Sequence, residues 1–252
     1  LHSNTVVKKG QLVGGTRAIP LVVKKSIVEE AVAICKEIQN SKFKIQNGGV
    51  IEVKEIKKLK AGIVITGNEV YYGRIKDAFA PVITKKMQDH GCEITGIYYA
   101  PDDEALIEAR LRELVEAGAE LLITTGGMSV DPDDVTRFAI RKLGAGDIVY
   151  GSAVLPGAMF LVAYLQNKSG VRSQESGVRI QNSELQTPNS ELIPILGIPA
   201  CGMYHKTTIF DLILPRVLAG EIIGRKELAE LGHGGLCLNC KKCSYPVCPF
   251  GK

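Results

Sequence analysis

Two glycines, a serine and three acids follow one apolar stretch of this sequence, LLITTGGMSVDPDDVT, from Leu121 to Thr136. Gly126 and Gly127 allow positive φ angles and a close approach of the backbone, and N–H groups after such a turn favour a phosphate. Ser129 adds a hydroxyl donor. The acids would repel an anion unless a cation lies between them, so the stretch predicts a phosphate held together with a cation. The candidate acids are Asp131, Asp133 and Asp134.

Helix capping is the alternative role for these acids, because two of them fall near the first turn of the next predicted helix. Two other acids favour a cation site over helix capping. Glu69 lies just beyond another glycine that ends a predicted strand, and Asp77 lies one turn into the next predicted helix. Acids from separate loops beside phosphate-binding glycines match what Mg²⁺ requires, namely one or two carboxylates together with phosphate oxygens and water.

The elements that must position these residues alternate between strand and helix. AGIVITG, CEITGIYYA and ELLITT predict strands, and each is followed by a stretch with helical periodicity. This alternation predicts an α/β fold, a mostly parallel sheet with helices on both faces. Further along we predict a short helix for AMFLVAYLQ, a strand for LIPILGIPA and a final helix for KTTIFDLILPRVLAG.

Ligands of such sheets bind outside the carboxyl ends of the strands. Three loops that contain glycine fall at predicted strand ends or beside them, at residues 66–69, 124–129 and 155–159. We therefore expect these three loops to face one crevice.

Three regions are predicted along the chain. Residues 1–59 form a small β-rich piece with a helix, SIVEEAVAICKEIQN, and a basic linker; residues 60–224 form the α/β domain; residues 225–252 form a cysteine-rich tail. Residues 167–192 are polar and almost free of large apolar side chains, so a disordered insertion is predicted there.

The composition is that of a soluble globular protein, with 252 residues, 45% hydrophobic and 23% charged. No apolar run approaches the roughly 18 residues of a membrane span, and no secretion signal is visible, so we expect a cytoplasmic protein without a membrane role. A net charge of +4 is too modest to indicate nucleic-acid binding. The first residue is Leu1 and not a methionine, so we expect residues to precede it.

Three motifs together resemble one family. ITGNEVYYGRIKDAF, TTGGMSVDPDDVT and VLPGAM resemble, in this order, the signatures of the molybdopterin-binding domain of molybdenum cofactor biosynthesis proteins. The resemblance implies a Rossmann-like molybdopterin-binding fold over residues 60 to 220. It also implies binding of molybdopterin or its adenylated form, with Mg²⁺ and molybdate in the transferase branch, where AMP is released. The implied cofactor-binding residues are Thr66, Gly67, Glu69, Asp77, Thr125, Gly126, Gly127, Ser129, Pro156 and Gly157, and Asp134 matches the second motif.

The chain departs from the family pattern in ways that favour binding over catalysis. Phe79 stands where family members usually have asparagine, and Ala158 and Met159 stand where many have a lysine and a second proline. The region before the first motif is also shorter than in the multidomain transferases. Three functions therefore stay open: a molybdotransferase with catalytic Asp131, Asp133 and Asp134, a carrier that delivers cofactor to an apo-molybdoenzyme, and a nucleotide pyrophosphatase of the competence-damage-inducible type. Family members are dimers or trimers, so a homodimer or homotrimer is expected.

Four of the seven cysteines are clustered in the tail CLNCKKCSYPVCPFGK. Cys237, Cys240, Cys243 and Cys248 have the spacing C-x2-C-x2-C-x4-C, which differs by one residue from a bacterial ferredoxin run. Four nearby thiolates suit either Zn²⁺ or an iron–sulfur (4Fe-4S) cluster, while disulfides are disfavoured in the cytoplasm. The tail is therefore predicted to bind a metal.

Overall fold

The computed structural model describes residues 3–15, 19, 22–40, 51–128, 135–167 and 192–232. The chain divides into two compact units, Leu1–Glu55 and Ile56–Lys252. The first unit contains helix α1 (Lys25–Asn40), which agrees with the predicted helix. Before α1, residues 3–15, 19 and 22–24 contain no strand, so the β-rich character predicted for this region is not seen in them.

The second unit contains a six-stranded sheet and seven helices over the residues described. The strands are β1 (Lys60–Thr66), β2 (Glu93–Ala100), β3 (Leu121–Thr125), β4 (Gly146–Tyr150), β5 (Leu161–Gln166) and β6 (Leu192–Ile198). The helices are α2 (Asn68–Tyr71), α3 (Phe79–Asp89), α4 (Glu104–Glu116), α5 (Thr136–Lys142), α6 (Cys201–Tyr204), α7 (Ile209–Leu218) and α8 (Arg225–Glu230).

The sheet is mixed, with the strand order β2-β1-β3-β6-β5-β4. The pairs β1–β2, β1–β3 and β3–β6 are parallel, as predicted. Strand β5 is antiparallel to both of its neighbours. The helix predicted for AMFLVAYLQ is therefore wrong, because Leu161–Gln166 is a strand buried on both faces. A short, continuously apolar run has no periodicity that separates a buried strand from a buried helix, and six residues is a strand length.

Two layers of helices cover the sheet, because alternate residues of each central strand point to opposite faces. On one face, Ile63 and Ile123 belong to a cluster that includes side chains of α3 and α7. On the other face, Val64 and Leu122 pack with side chains of α4 and α5. Burial of each such side chain contributes roughly 1.5–3 kcal/mol, so these faces fix the strand positions and the loops that follow them.

A pocket of about 260 Å³ lies at the amino ends of β1, β3 and β6 and includes Tyr164 in its lining. The Tyr164 hydroxyl accepts a hydrogen bond from the Ile223 N–H at 2.6 Å, and burial raises the pKa of Tyr164 to about 12. This pocket is at the edge opposite the predicted ligand loops. Among the residues described, no helix has the length and apolar character needed to cross a bilayer.

Candidate functional site

The three predicted ligand loops lie along one edge of the sheet. Parallel strands β1, β3 and β6 all end at this edge. Strand β5 runs the opposite way, and its first residue, Leu161, pairs with Gly197 near the end of β6. The loop that precedes β5, with Pro156 and Gly157, therefore reaches the same edge as Gly67 and Gly126 do. This is the arrangement that the alternation of strands and helices predicted.

Buried hydroxyl groups join the first two loops. The Thr66 hydroxyl, at the end of β1, donates to the Thr125 carbonyl oxygen at 2.6 Å. It also lies 3.4 Å from the Thr136 hydroxyl, which donates to the Gly126 carbonyl oxygen at 3.2 Å. Both threonine side chains are almost fully buried. These buried hydrogen bonds thus connect the ends of β1 and β3 to the start of α5.

Gly126 and Gly127 serve this packing directly. Both have positive φ angles, 77° and 55°. A Cβ atom on Gly126 would lie 2.6 Å from the backbone oxygen of Thr66, and one on Gly127 would overlap the Thr136 hydroxyl. On the side where a Cβ atom would stand, each of these glycines therefore packs against a threonine side chain or backbone. Gly67 has a φ of 135°, and among the residues described nothing lies within 4 Å of its missing Cβ.

Some backbone N–H groups at this edge donate to a backbone carbonyl oxygen, and others have no such partner. The Gly67 N–H donates to the Ala100 oxygen at 3.2 Å, and the Gly126 N–H donates to the Ile198 oxygen at 3.3 Å. Within the described part of the chain, the N–H groups of Gly127 and Met128 have no backbone carbonyl partner. The Tyr150 hydroxyl donates to the Met128 carbonyl oxygen at 2.8 Å and so holds the end of this described stretch. An anion at this edge would find its donors at residues 127–128.

The third loop is fixed by α7. The Ile209 N–H donates to the Pro156 oxygen at 3.2 Å. Gly157 has a φ of 112°, and a Cβ atom there would lie 2.6 Å from Ile209 Cγ2. Burial raises the pKa of the nearby Cys201 thiol. The loop therefore packs against the start of α7.

Asp77, a predicted cofactor-binding residue, forms the start of α3. Its carboxylate accepts hydrogen bonds from the N–H groups of Phe79, at 2.7 Å, and of Ala80. It also accepts one from the Tyr99 hydroxyl at 3.1 Å, and the pKa of Tyr99 is raised by burial and by this carboxylate. Phe79 is in the core with 4% exposure. Glu69 is exposed in α2, two residues beyond Gly67.

Sequence reasoning missed a pair of residues that joins the first loop to the end of β2. The Asn68 N–H donates to the Asp102 carboxylate at 3.0 Å, and the Asp102 N–H donates to the Asn68 side-chain oxygen at 3.3 Å. Asp102 follows a parallel strand, so the strand-end rule that selected the other loops could have found it. Thr136 was also missed, and its place behind two acids gave no signal for a buried hydroxyl.

Several predicted residues lie outside the residues that the structure describes. These are Ser129, Asp131, Asp133 and Asp134 in the second loop and Cys237, Cys240, Cys243 and Cys248 in the tail. Nearly all of the predicted insertion, residues 168–191, also lies outside. In the described ranges, no group of three or more His, Cys, Asp or Glu side chains could hold a metal ion.

Comparison with known proteins gives one family match over most of the second unit. The family described as "Probable molybdopterin binding domain" matches residues 62–218. A molybdopterin molybdenumtransferase from Synechococcus elongatus is 30% identical over 131 residues, 49% of this chain and 32% of that protein. A CinA-like protein from Mycobacterium tuberculosis is 43% identical over 90 residues, 36% of this chain and 21% of that protein.

The chain thus aligns with about a third of the transferase's length and about a fifth of the CinA-like protein's length. Among solved structures, the tungsten cofactor synthesizing protein MoaB from Pyrococcus furiosus is similar, with a TM-score of 0.42 and 17% identity. That similarity covers 64% of this chain and 96% of the other.

Proposed function

Because the chain belongs to the probable molybdopterin binding domain family of molybdenum cofactor biosynthesis, we propose that it binds molybdopterin or its adenylated form at the carboxyl edge of the sheet. The observation that carries the proposal is the joining of the first two motif loops by the Thr66 and Thr136 hydroxyls. The network lies directly before the amides of Gly127 and Met128, which have no backbone carbonyl partner in the described part of the chain.

The ligand phosphate would be bound by these amides, together with the Ser129 hydroxyl. Backbone N–H groups in a tight turn with positive φ angles form a concave donor surface that suits a phosphate. Thr125, Pro156 and Gly157 would line the same edge. The glycines contribute by letting the loops pack closely, so the donors are placed before the ligand arrives.

The three aspartates of the second loop supply the proposed chemistry. Asp131, Asp133 and Asp134, with Glu69 in the first loop, are the candidates to hold Mg²⁺ against the phosphate. One or two of them would suffice, because Mg²⁺ combines one or two carboxylates with phosphate oxygens and water. With adenylated molybdopterin, water would attack the bond between the two phosphates and give AMP and the pterin phosphate. Molybdate would bind the two dithiolene sulfurs and lose one oxygen, which leaves as water with the two thiol protons. Mg²⁺ would stabilise the negative charge that develops on the leaving phosphate.

A specific observation favours a second candidate, a nucleotide pyrophosphatase of the competence-damage-inducible type. The identity with the CinA-like protein, 43% over 90 residues, is higher than that with the transferase, although the aligned segment is shorter. Both candidates cleave a bond between two phosphates with Mg²⁺, so the same loop serves either. A third candidate, the carrier, requires binding alone.

We expect the protein purified without oxygen to bind molybdopterin and its adenylated form, and to release AMP only with Mg²⁺ and molybdate. Asp134→Ala should reduce Mg²⁺-dependent AMP release by roughly a hundredfold and leave the free energy of unfolding nearly unchanged, because a charge-stabilising group is lost from the reaction. Asp89→Ala, an exposed acid on α3, is the matched control. Release is measured by chromatography of the nucleotide.

The outcomes separate the candidates. Tight binding without AMP release would establish the carrier, and turnover of ADP-ribose without molybdopterin binding would establish the pyrophosphatase. An unchanged rate of AMP release for Asp134→Ala would contradict the proposed Mg²⁺ site and favour helix capping as the role of the aspartates.

The cysteine tail is proposed to hold one metal centre through Cys237, Cys240, Cys243 and Cys248. Anaerobically purified protein should contain about one equivalent of zinc or about four of iron per chain, as four thiolates suit either. Elemental analysis and the visible spectrum distinguish the two, and replacing two of the cysteines with serine should remove the metal. Metal-free protein with four free thiols would contradict this proposal.

The tail would act as a docking or sensing element for an apo-molybdoenzyme in the cytoplasm. A homodimer or homotrimer is proposed because members of the family tend to form dimers or trimers.

A further inference from the structure

Lys86 of α3 forms an ion pair that differs from its neighbour's. Its Nζ atom lies 2.5 and 2.6 Å from the two carboxylate oxygens of Asp211 and donates to the Lys206 carbonyl oxygen at 3.0 Å. The Lys86 and Asp211 side chains are only 15% and 23% exposed. Lys85 pairs with Asp89 across one helical turn at 3.4 Å, with exposures of 76% and 62%. Exposed pairs contribute little, whereas a shielded pair with further hydrogen bonds constrains geometry.

Asp211 also shapes the first turn of α7. Its carboxylate accepts a hydrogen bond from the Thr208 N–H at 2.7 Å, and the Thr208 hydroxyl accepts one from the Phe210 N–H at 3.2 Å. This capping box satisfies N–H groups that the helix itself leaves unpaired. Lys86 therefore connects α3 to the residues that determine where α7 begins.

The start of α7 in turn holds the third motif loop. Ile209 donates to the Pro156 oxygen, and its side chain fills the space beside Gly157. The Lys206 carbonyl belongs to the segment that connects β6 to α7, so Lys86 contacts this segment directly. Lys86 is therefore connected to the third loop through the start of α7, and to the β6–α7 segment by its own hydrogen bond.

At the opposite end of α3, the N–H of its first residue, Phe79, donates to the carboxylate of Asp77, in the first motif. We infer that Lys86 is a positioning residue, which sets the third loop and the β6–α7 segment relative to the first motif. Neither Lys86 nor Asp211 is in any of the three motifs. The inference rests on the proposed binding of molybdopterin at this edge. It states that the affinity for the ligand depends on the Lys86–Asp211 ion pair, which does not itself contact the ligand.

The test compares two adjacent lysines on one helix. Lys86→Met should weaken molybdopterin binding by about tenfold, because small displacements of positioned groups have large effects on binding and reaction. Lys85→Met removes the same charge from an exposed pair and should stay within about twofold of the unsubstituted protein. Lys86→Arg keeps the charge and the donors and should recover most of the affinity. Affinity is measured anaerobically, by fluorescence titration with molybdopterin, at a temperature where each variant is folded.

A second variant covers the case in which Lys86→Met does not fold. Asp211→Asn removes the charge and keeps a side-chain oxygen for the Thr208 N–H, and it should weaken binding to a similar degree. If Lys86→Met and Asp211→Asn both bind molybdopterin with the affinity of the unsubstituted protein, the inference is overturned and the proposed function still stands. Failure of the unsubstituted protein to bind molybdopterin would instead overturn the proposed function.

Discussion

Gly126→Ala is expected to reduce molybdopterin binding by at least a hundredfold, whereas Gly118→Ala is expected to leave binding unchanged. Both glycines have positive φ angles, 77° and 87°. An L-residue in that conformation costs roughly 1–2 kcal/mol, so both substitutions should lower the free energy of unfolding by about this amount. The two sites differ in what surrounds the new methyl group.

Gly118 follows α4, and within the described part of the chain nothing lies within 4 Å of its missing Cβ. At Gly126 the methyl carbon would lie 2.6 Å from the backbone oxygen of Thr66 and 2.9 Å from its hydroxyl. A backbone atom in a central strand cannot move aside cheaply, so the second loop must move away from the first. The displaced loop takes the amides of Gly127 and Met128 with it, and the proposed phosphate contacts are lost.

The measurement is titration with molybdopterin under anaerobic conditions, alongside urea unfolding of both variants. A further loss of about 2 kcal/mol in the free energy of unfolding is expected for Gly126→Ala beyond that of Gly118→Ala. Wild-type affinity in folded Gly126→Ala would place the ligand elsewhere than at the second loop. Loss of affinity in Gly118→Ala would mean that general destabilisation, and not loop position, controls binding.

Sequence reasoning located the loops because the strands before them are continuous apolar runs with glycine at their ends. A parallel sheet brings such ends to one edge, so the proximity of Gly67 and Gly126 followed from topology alone. The predicted element type was wrong at β5, because the apolar run LVAYLQ is compatible with either a strand or a helix. The pairing of Leu161 with Gly197 is a tertiary contact that local periodicity does not encode.

The roles of individual residues were less predictable than their positions. Gly126 and Gly127 stood out as ligand-approach positions, but what they approach is Thr66 and Thr136. Asp77 stood out as a cofactor contact, and its carboxylate caps α3 and accepts from Tyr99. A residue type in a motif indicates that something comes close; only the packed structure tells which neighbour that is. The contacts of Lys86 and Asp102 join segments far apart in sequence and had no local signature.

Thr66→Val is expected to lower the free energy of unfolding and Thr124→Val is expected not to lower it, although both remove a buried hydroxyl from neighbouring strands. The Thr66 hydroxyl donates to the Thr125 oxygen at 2.6 Å and contacts the Thr136 hydroxyl. Its removal should lower the free energy of unfolding by about 1–3 kcal/mol, because buried polar groups are left without their partner. The Thr124 hydroxyl is fully buried and has no hydrogen-bond partner among the residues described.

Valine at 124 replaces that unsatisfied group with a methyl of similar shape, so the free energy of unfolding should stay the same or rise by about 1 kcal/mol. Thr66→Val should also weaken molybdopterin binding by about tenfold, since the second loop loses its tie to β1, while Thr66→Ser retains the hydroxyl and most of the affinity. Urea unfolding and anaerobic titration check both expectations. Equal stability losses for Thr66→Val and Thr124→Val would mean that the hydroxyl network does not hold these loops, and the strand ends alone would then have to place the Gly127 and Met128 amides.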